Sequence, residues 1–347
     1  MPMSFFKLLK IIALGAIIYS CGNSSKALKS NFSIQSNTAK NIISNADTLK
    51  LSVLNTNNKK IDSVAFSMNN RRISDDIALK GTALGEKILK ATVFFEGKKE
   101  VALLKIIVVN SNTPKLYTYE LVNTYPHDIN SYTQGLEFYK GILYESTGQY
   151  GESKLRALDY KNNTVLKNIY LSSSYFGEGL TLLNDKIYQL TWKEGRGLIY
   201  DVNSFESLGN FKYGQSKEGW GLCNDGTQLY KTDGSENIWI LNAETLEEVR
   251  FVQAYTNKGR LTNLNELEWV EGEIYANRYQ KNGVAVINPI NGAIEAVIDF
   301  KALKNKVTAH PDLDVLNGMA YNSKTKTLFV TGKRWDKLFE VRIIPSK

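Results

Sequence analysis

The sequence predicts an all-β protein, a five-bladed β-propeller preceded by a small immunoglobulin-like β-sandwich. The first observation is a recurring motif, seen as Tyr132-Thr133-Gln134-Gly135-Leu136, Phe176-Gly177-Glu178-Gly179-Leu180-Thr181, Glu218-Gly219-Trp220-Gly221-Leu222, Leu264-Asn265-Glu266-Leu267-Glu268-Trp269 and Leu316-Asn317-Gly318-Met319. With Gly135, Gly179, Gly219, Glu266 and Gly318 taken as equivalent, the repeat is about 40 to 50 residues long, the length of a four-stranded blade. The second is the filling between motifs, short aromatic and aliphatic strands separated by Asn, Asp and Gly turns, as in Leu180–Trp192 and Gly221–Asp233. The third is a separate run of strands before Pro114 that lacks the motif.

Length and composition agree with two folded units. The chain has 347 residues, 43% hydrophobic and 22% charged, which exceeds one ordinary domain and suffices to bury a core. The formal net charge is +8, yet Lys and Arg are scattered without a long basic run, so nucleic acid is not an expected partner.

Taken in order, residues 1–21 read as an export signal. Lys7 and Lys10 precede the apolar stretch Ile11 to Ile18, which is too short to span a bilayer comfortably. Ile18-Tyr19-Ser20-Cys21 resembles a bacterial lipobox, although Tyr19 stands where a smaller residue is common. That resemblance implies lipidation of Cys21 and a lipoprotein of the cell envelope, anchored to a bacterial membrane and facing the periplasm or exterior. Several acyl chains would hold it firmly, because a single chain binds only marginally. Residues 22–40, rich in Ser, Asn and Lys, are expected to form a flexible tether.

Residues 41–112 are expected to form the sandwich, from strands such as Leu49–Leu54, Ser63–Ser67, Lys90–Phe95 and Ala102–Val109. Phe95-Glu96-Gly97-Lys98 predicts a tight hairpin with Gly97 in the turn. Pro114 marks the boundary, since proline cannot continue a central strand. Residues 116–347 are assigned to the propeller. Tyr117–Thr124 precedes the first motif and is expected to complete the last blade, closing the ring and removing an exposed sheet edge.

Only two cysteines are present, so lipidation of Cys21 leaves Cys223 without a disulfide partner, and Cys223 reads as a small buried residue. Trp239 and Trp269 read as core residues, His127 as a structural hydrogen-bonding group beside Asp128, and His310 as a loop residue.

Further motifs accompany the repeat: Pro126-His127-Asp128, the stretch Glu145–Arg156, Leu190-Thr191-Trp192-Lys193 and Thr331-Gly332-Lys333. Together they make the chain, from about Tyr119 to Ile344, resemble glutaminyl-peptide cyclotransferases of the plant and bacterial type. The resemblance implies a five-bladed propeller that converts an amino-terminal glutamine of peptides or proteins into pyroglutamate and releases ammonia. It carries the family's site positions onto Gln134, Glu178, Trp192, Trp220, Asn265 and Lys333. A family tryptophan falls on Tyr279, which keeps an aromatic wall while being smaller and bearing a hydroxyl.

These residue types suit the chemistry. Lactam formation needs the α-amine to attack the side-chain carbonyl of its own residue, so a catalyst must hold one rotamer and move protons. One carboxyl can accept a proton from the amine and deliver it to the departing nitrogen, and Glu178, between two glycines, is the candidate. Trp192, Trp220 and Tyr279 would desolvate the site and clasp the substrate, while Lys333, Gln134 and Asn265 can donate to the developing oxyanion or anchor the substrate. No metal cofactor is expected, because only two histidines are present and no cluster has ligand spacing; a structural cation in the channel is left open. The expected partners are peptide or protein substrates with an N-terminal Gln and, through the lipid, a membrane; the chain is expected to be a monomer. The competing reading is a non-catalytic propeller on the cell envelope that binds peptides or glycans, supported by Tyr279 alone.

Overall fold

The computed structural model describes residues 30–345. The signal segment, Cys21 and residues 22–29 of the expected tether therefore lie outside the described residues.

Eight strands between Phe32 and Val109 build two facing sheets of three and five strands. Ile42–Ser44 runs parallel to the end of Lys98–Val109, while the remaining pairs are antiparallel, as in an immunoglobulin-like sandwich. The hairpin predicted at Gly97 joins Gly85–Phe95 to Lys98–Val109, with Glu96 and Gly97 both at positive φ.

The sandwich begins earlier than expected, which corrects the tether assigned to residues 22–40. Phe32–Ser36 is a strand of the three-stranded sheet, with Phe32 and Ile34 buried and the ring of Phe32 set edge-on to Phe95 at 4.9 Å. Ser30 and Asn31 are tied to the Glu100 carboxylate. The apolar alternation here spans two residues only, too short to stand out against a Ser- and Asn-rich background.

Twenty strands from Lys115–Pro126 onward form five four-stranded blades. The innermost strands are Thr133–Tyr139, Gly177–Leu183, Leu222–Asn224, Leu264–Val270 and Leu316–Asn322, and each touches the next around a closed ring. Burial grades outward. Gly177–Leu183 is buried throughout, whereas the outermost strands Thr164–Tyr170 and Ser207–Lys212 are mostly exposed. Inner strands are covered on both faces by neighbouring blades, so they are buried along most of their length, polar residues included, while outer strands face solvent.

The ring closes as the sequence predicts. Lys115–Pro126 pairs antiparallel with Lys337–Ile344 to complete the fifth blade, and its first residues also run parallel to Ala296–Ile298 of the fourth. One strand thus covers two edges. The sandwich rests on the rim of the third and fourth blades: Glu86 N–H donates to Gln253 Oε1 at 2.8 Å, Leu84 N–H to the Asn291 carbonyl, and Tyr255 and Ala293 enter the sandwich core.

Around the axis the strands approach closely enough to require glycine. A Cβ on Gly135 would lie 2.5 Å from Leu180 N, one on Gly179 2.6 Å from Leu222 N, and one on Gly221 2.0 Å from the Asn265 carbonyl oxygen. This corrects the alignment of the third motif, in which Gly221 and not Gly219 is the axial glycine. The shift of two residues brings Trp220 into line with Gln134, Glu178, Asn265 and Asn317.

Candidate active site

Those five residues share a position because four of the inner strands are irregular at the same place. The pairing register shifts between Thr133 and Gly135, Gly177 and Leu180, Leu264 and Leu267, and Leu316 and Met319. Gln134, Glu178, Asn265 and Asn317 are thereby left out of the ladder, and such bulges re-aim side chains. All four are buried.

Gln134, Glu178, Trp220 and Asn265 line a cavity of about 190 Å³, joined by Trp192, Tyr279 and Lys333 from the loops. The structure thus brings all seven residues named from the sequence to one pocket. Tyr132, Phe176 and Gln149 complete its walls. Glu178 is 5% exposed and accepts a hydrogen bond from Gln134 Nε2 at 2.9 Å. Gln134 is held in turn by Asn317, whose Nδ2 donates to Gln134 Oε1 at 3.2 Å and to the Thr133 carbonyl at 3.0 Å. Lys333 is 3% exposed, and its ammonium sits 4.7 Å from the ring centroid of Tyr132 and 5.2 Å from that of Tyr279. Tyr279 stands edge-on to Trp220 at 5.7 Å, so it supplies both an aromatic wall and a π face for the cation.

The electrostatics follow from burial. Desolvation pushes the Glu178 carboxyl well above the usual carboxylate range; Lys333 opposes this, while Glu218 and Glu194 reinforce it. Burial likewise lowers the Lys333 ammonium, and Glu178 opposes that shift. A carboxyl of raised basicity sharing an aromatic-lined pocket with a buried ammonium can take and return a proton while a nearby donor steadies a developing oxyanion. Among the described residues Asn265 Oδ1 has no hydrogen-bond partner, which leaves it able to accept from a bound molecule.

Two groups at the site escaped sequence reasoning. Asn317 lies in the fifth motif, and aligning Leu316-Asn317-Gly318 with Phe176–Thr181 through the axial glycine would have found it. Glu218 opens the third motif and accepts hydrogen bonds from two indoles, a role no local pattern encodes.

The remaining groups are structural. Cys223 and Trp239 are buried, and Trp269 stacks on Tyr230. His127 bonds to Glu145 and the Trp335 carbonyl, not to the adjacent Asp128. His310 lies in a loop, where its Nε2–H donates to the Arg334 carbonyl at 2.8 Å. Further along the inner strands Glu137, Glu266 and Glu268 have carboxyls pushed up by burial, Glu137 to about 8. Among the described residues no group of three or more His, Cys, Asp and Glu is arranged to hold a metal ion.

Comparison with known proteins adds three findings. The model of the family described as glutamine cyclotransferase matches residues 93–343. The chain is 36% identical over 228 residues to the glutaminyl-peptide cyclotransferase of Arabidopsis thaliana, covering 65% of this chain and 71% of that protein. The crystal structure of Myxococcus xanthus glutaminyl cyclase superposes with a TM-score of 0.62 at 32% identity, covering 67% of this chain and all of that one.

Proposed function

Because the chain belongs to the glutamine cyclotransferase family, we propose that it converts the amino-terminal glutamine of peptides or proteins to pyroglutamate, with Glu178 as the proton carrier and no metal in the reaction. The observation that carries this reading is the Glu178 carboxyl, buried among indole and phenol rings opposite Lys333 and fixed by Gln134.

The α-ammonium of a bound glutamine ordinarily titrates near 7.7–8.0, so a carboxylate of raised basicity can take its proton without a steep energetic step. The freed amine attacks Cδ and forms the new C–N bond, and charge gathers on the former amide oxygen. Lys333, Gln134 and Asn265 are the groups available to steady that oxygen or anchor the substrate. Glu178 then protonates the departing nitrogen, the old C–N bond breaks, ammonia leaves, and the regenerated carboxylate takes the second proton of the former amine, so that a neutral lactam remains and the proton departs with ammonia as ammonium. Trp192, Trp220 and Tyr279 clasp the methylenes and exclude water.

Incubating the protein with a Gln-initiated peptide tests this directly: the peptide should lose one ammonia by mass, equally with and without a chelator. Tight binding with no mass change would leave only a non-catalytic peptide-binding propeller.

We also propose an envelope lipoprotein, a reading supported by the basic, apolar and lipobox-like order of residues 1–21. Cys21→Ala should move the protein from the membrane fraction to the soluble one. Unchanged partitioning would overturn lipidation at that residue.

A further inference from the structure

Resting on the cyclase reading and deepening it, the geometry points to Glu218 as a positioning residue that locks Trp192 and Trp220 into one aromatic clamp. Both indole N–H groups donate to the same carboxylate oxygen, Glu218 Oε2, each at 2.8 Å.

The two tryptophans come from different blades. Trp192 follows the second strand of the second blade, and Trp220 precedes the inner strand of the third. An indole N–H is donor-only, and here one acceptor satisfies two, so neither ring can turn without breaking a charge-assisted bond.

Glu218 is itself held from several sides. Its carbonyl accepts from Lys231 Nζ at 2.8 Å, and the next amide, Gly219 N–H, donates to the Trp192 carbonyl at 3.0 Å. Gly219 has no room for a side chain, because a Cβ there would lie 2.3 Å from Tyr213 Oη. The Tyr213 hydroxyl in turn donates to the Thr191 carbonyl at 2.8 Å. The outer edges of the clamp are braced as well, Trp192 by Phe176 at 5.5 Å and Trp220 by Tyr279. A pocket whose walls drift by an ångström loses the near-attack rotamer, so the rigidity of this support bears on binding and rate.

Two substitutions test the clamp. In protein labelled with 15N at tryptophan, the indole signals of Trp192 and Trp220 should shift and exchange faster in Glu218→Ala but stay near their positions in Glu218→Gln. KM for a Gln-initiated peptide should rise by about tenfold or more in Glu218→Ala and stay within about threefold in Glu218→Gln. Unmoved indole signals and KM in Glu218→Ala overturn the clamp. Absence of turnover in the unsubstituted protein overturns the cyclase reading instead, and the indole signals still decide the clamp.

Discussion

Glu178→Gln is expected to lower kcat for cyclisation of a Gln-initiated peptide by between about 10² and 10⁴, the range associated with a positioned general acid–base group. The replacement has the same shape and still accepts from Gln134 through its amide oxygen, so the pocket and the melting temperature should be preserved. Because burial holds the Glu178 carboxyl well above its ordinary range, the sign of the pH dependence is determined. The proton acceptor is present only above its raised pKa, so kcat should climb with pH along an acid limb displaced well above 4.5. That limb should vanish in the variant. Full activity after Glu178→Gln, or an acid limb at ordinary carboxylate pH in the unsubstituted protein, would remove Glu178 from the mechanism.

Arg156→Ala is expected to give the largest loss of stability, about 3–5 kcal/mol, as is typical when one partner of a buried ion pair is removed. Arg156 is 4% exposed and bridges the first blade, bonding to Asp128 Oδ2 at 2.9 Å, to Ser131 and to Glu145. Glu145 is fully buried and also accepts from Thr133 Oγ1 at 2.7 Å and His127 Nε2 at 3.1 Å. Burial alone would raise the Glu145 carboxyl, but Arg156 and His127 outweigh it and hold the carboxyl well below the usual range. His127 shows the converse: burial lowers the imidazole, Glu145 more than compensates, and the net shift is upward. Removing Arg156 strands the Glu145 charge in the interior. In a unit of this size the loss should appear as a fall in Tm on the order of 10 °C. A fall of only a degree or two, or a urea midpoint equal to that of the unsubstituted protein, would contradict it. Thr133 precedes Gln134, so the same strut supports the strand that presents the Glu178 partner.

The parts of the molecule readable from the chain alone were those written in neighbouring residues. The period-two strands, the turn chemistry at Glu96-Gly97, the blade-length repeat and the closing strand at Lys115–Pro126 all rest on local patterns or on counting. The strand Phe32–Ser36 was hidden because its alternation is too short to rise above a polar background. The pocket was legible insofar as motif resemblance named Gln134, Glu178, Trp192, Trp220, Asn265, Tyr279 and Lys333, and all seven line one cavity.

What sequence by itself determined, then, was an all-β repeat, its closure and the residue types that line its centre, since strand pairing and turn formation depend on side chains close in the chain. Tertiary structure alone decided which glycine of the third motif approaches the axis, that Asn317 holds Gln134, and that a single oxygen of Glu218 receives two indoles from different blades. Those outcomes depend on strand register and on contacts between blades some 40 residues apart, where close packing and burial, rather than local preference, select one arrangement.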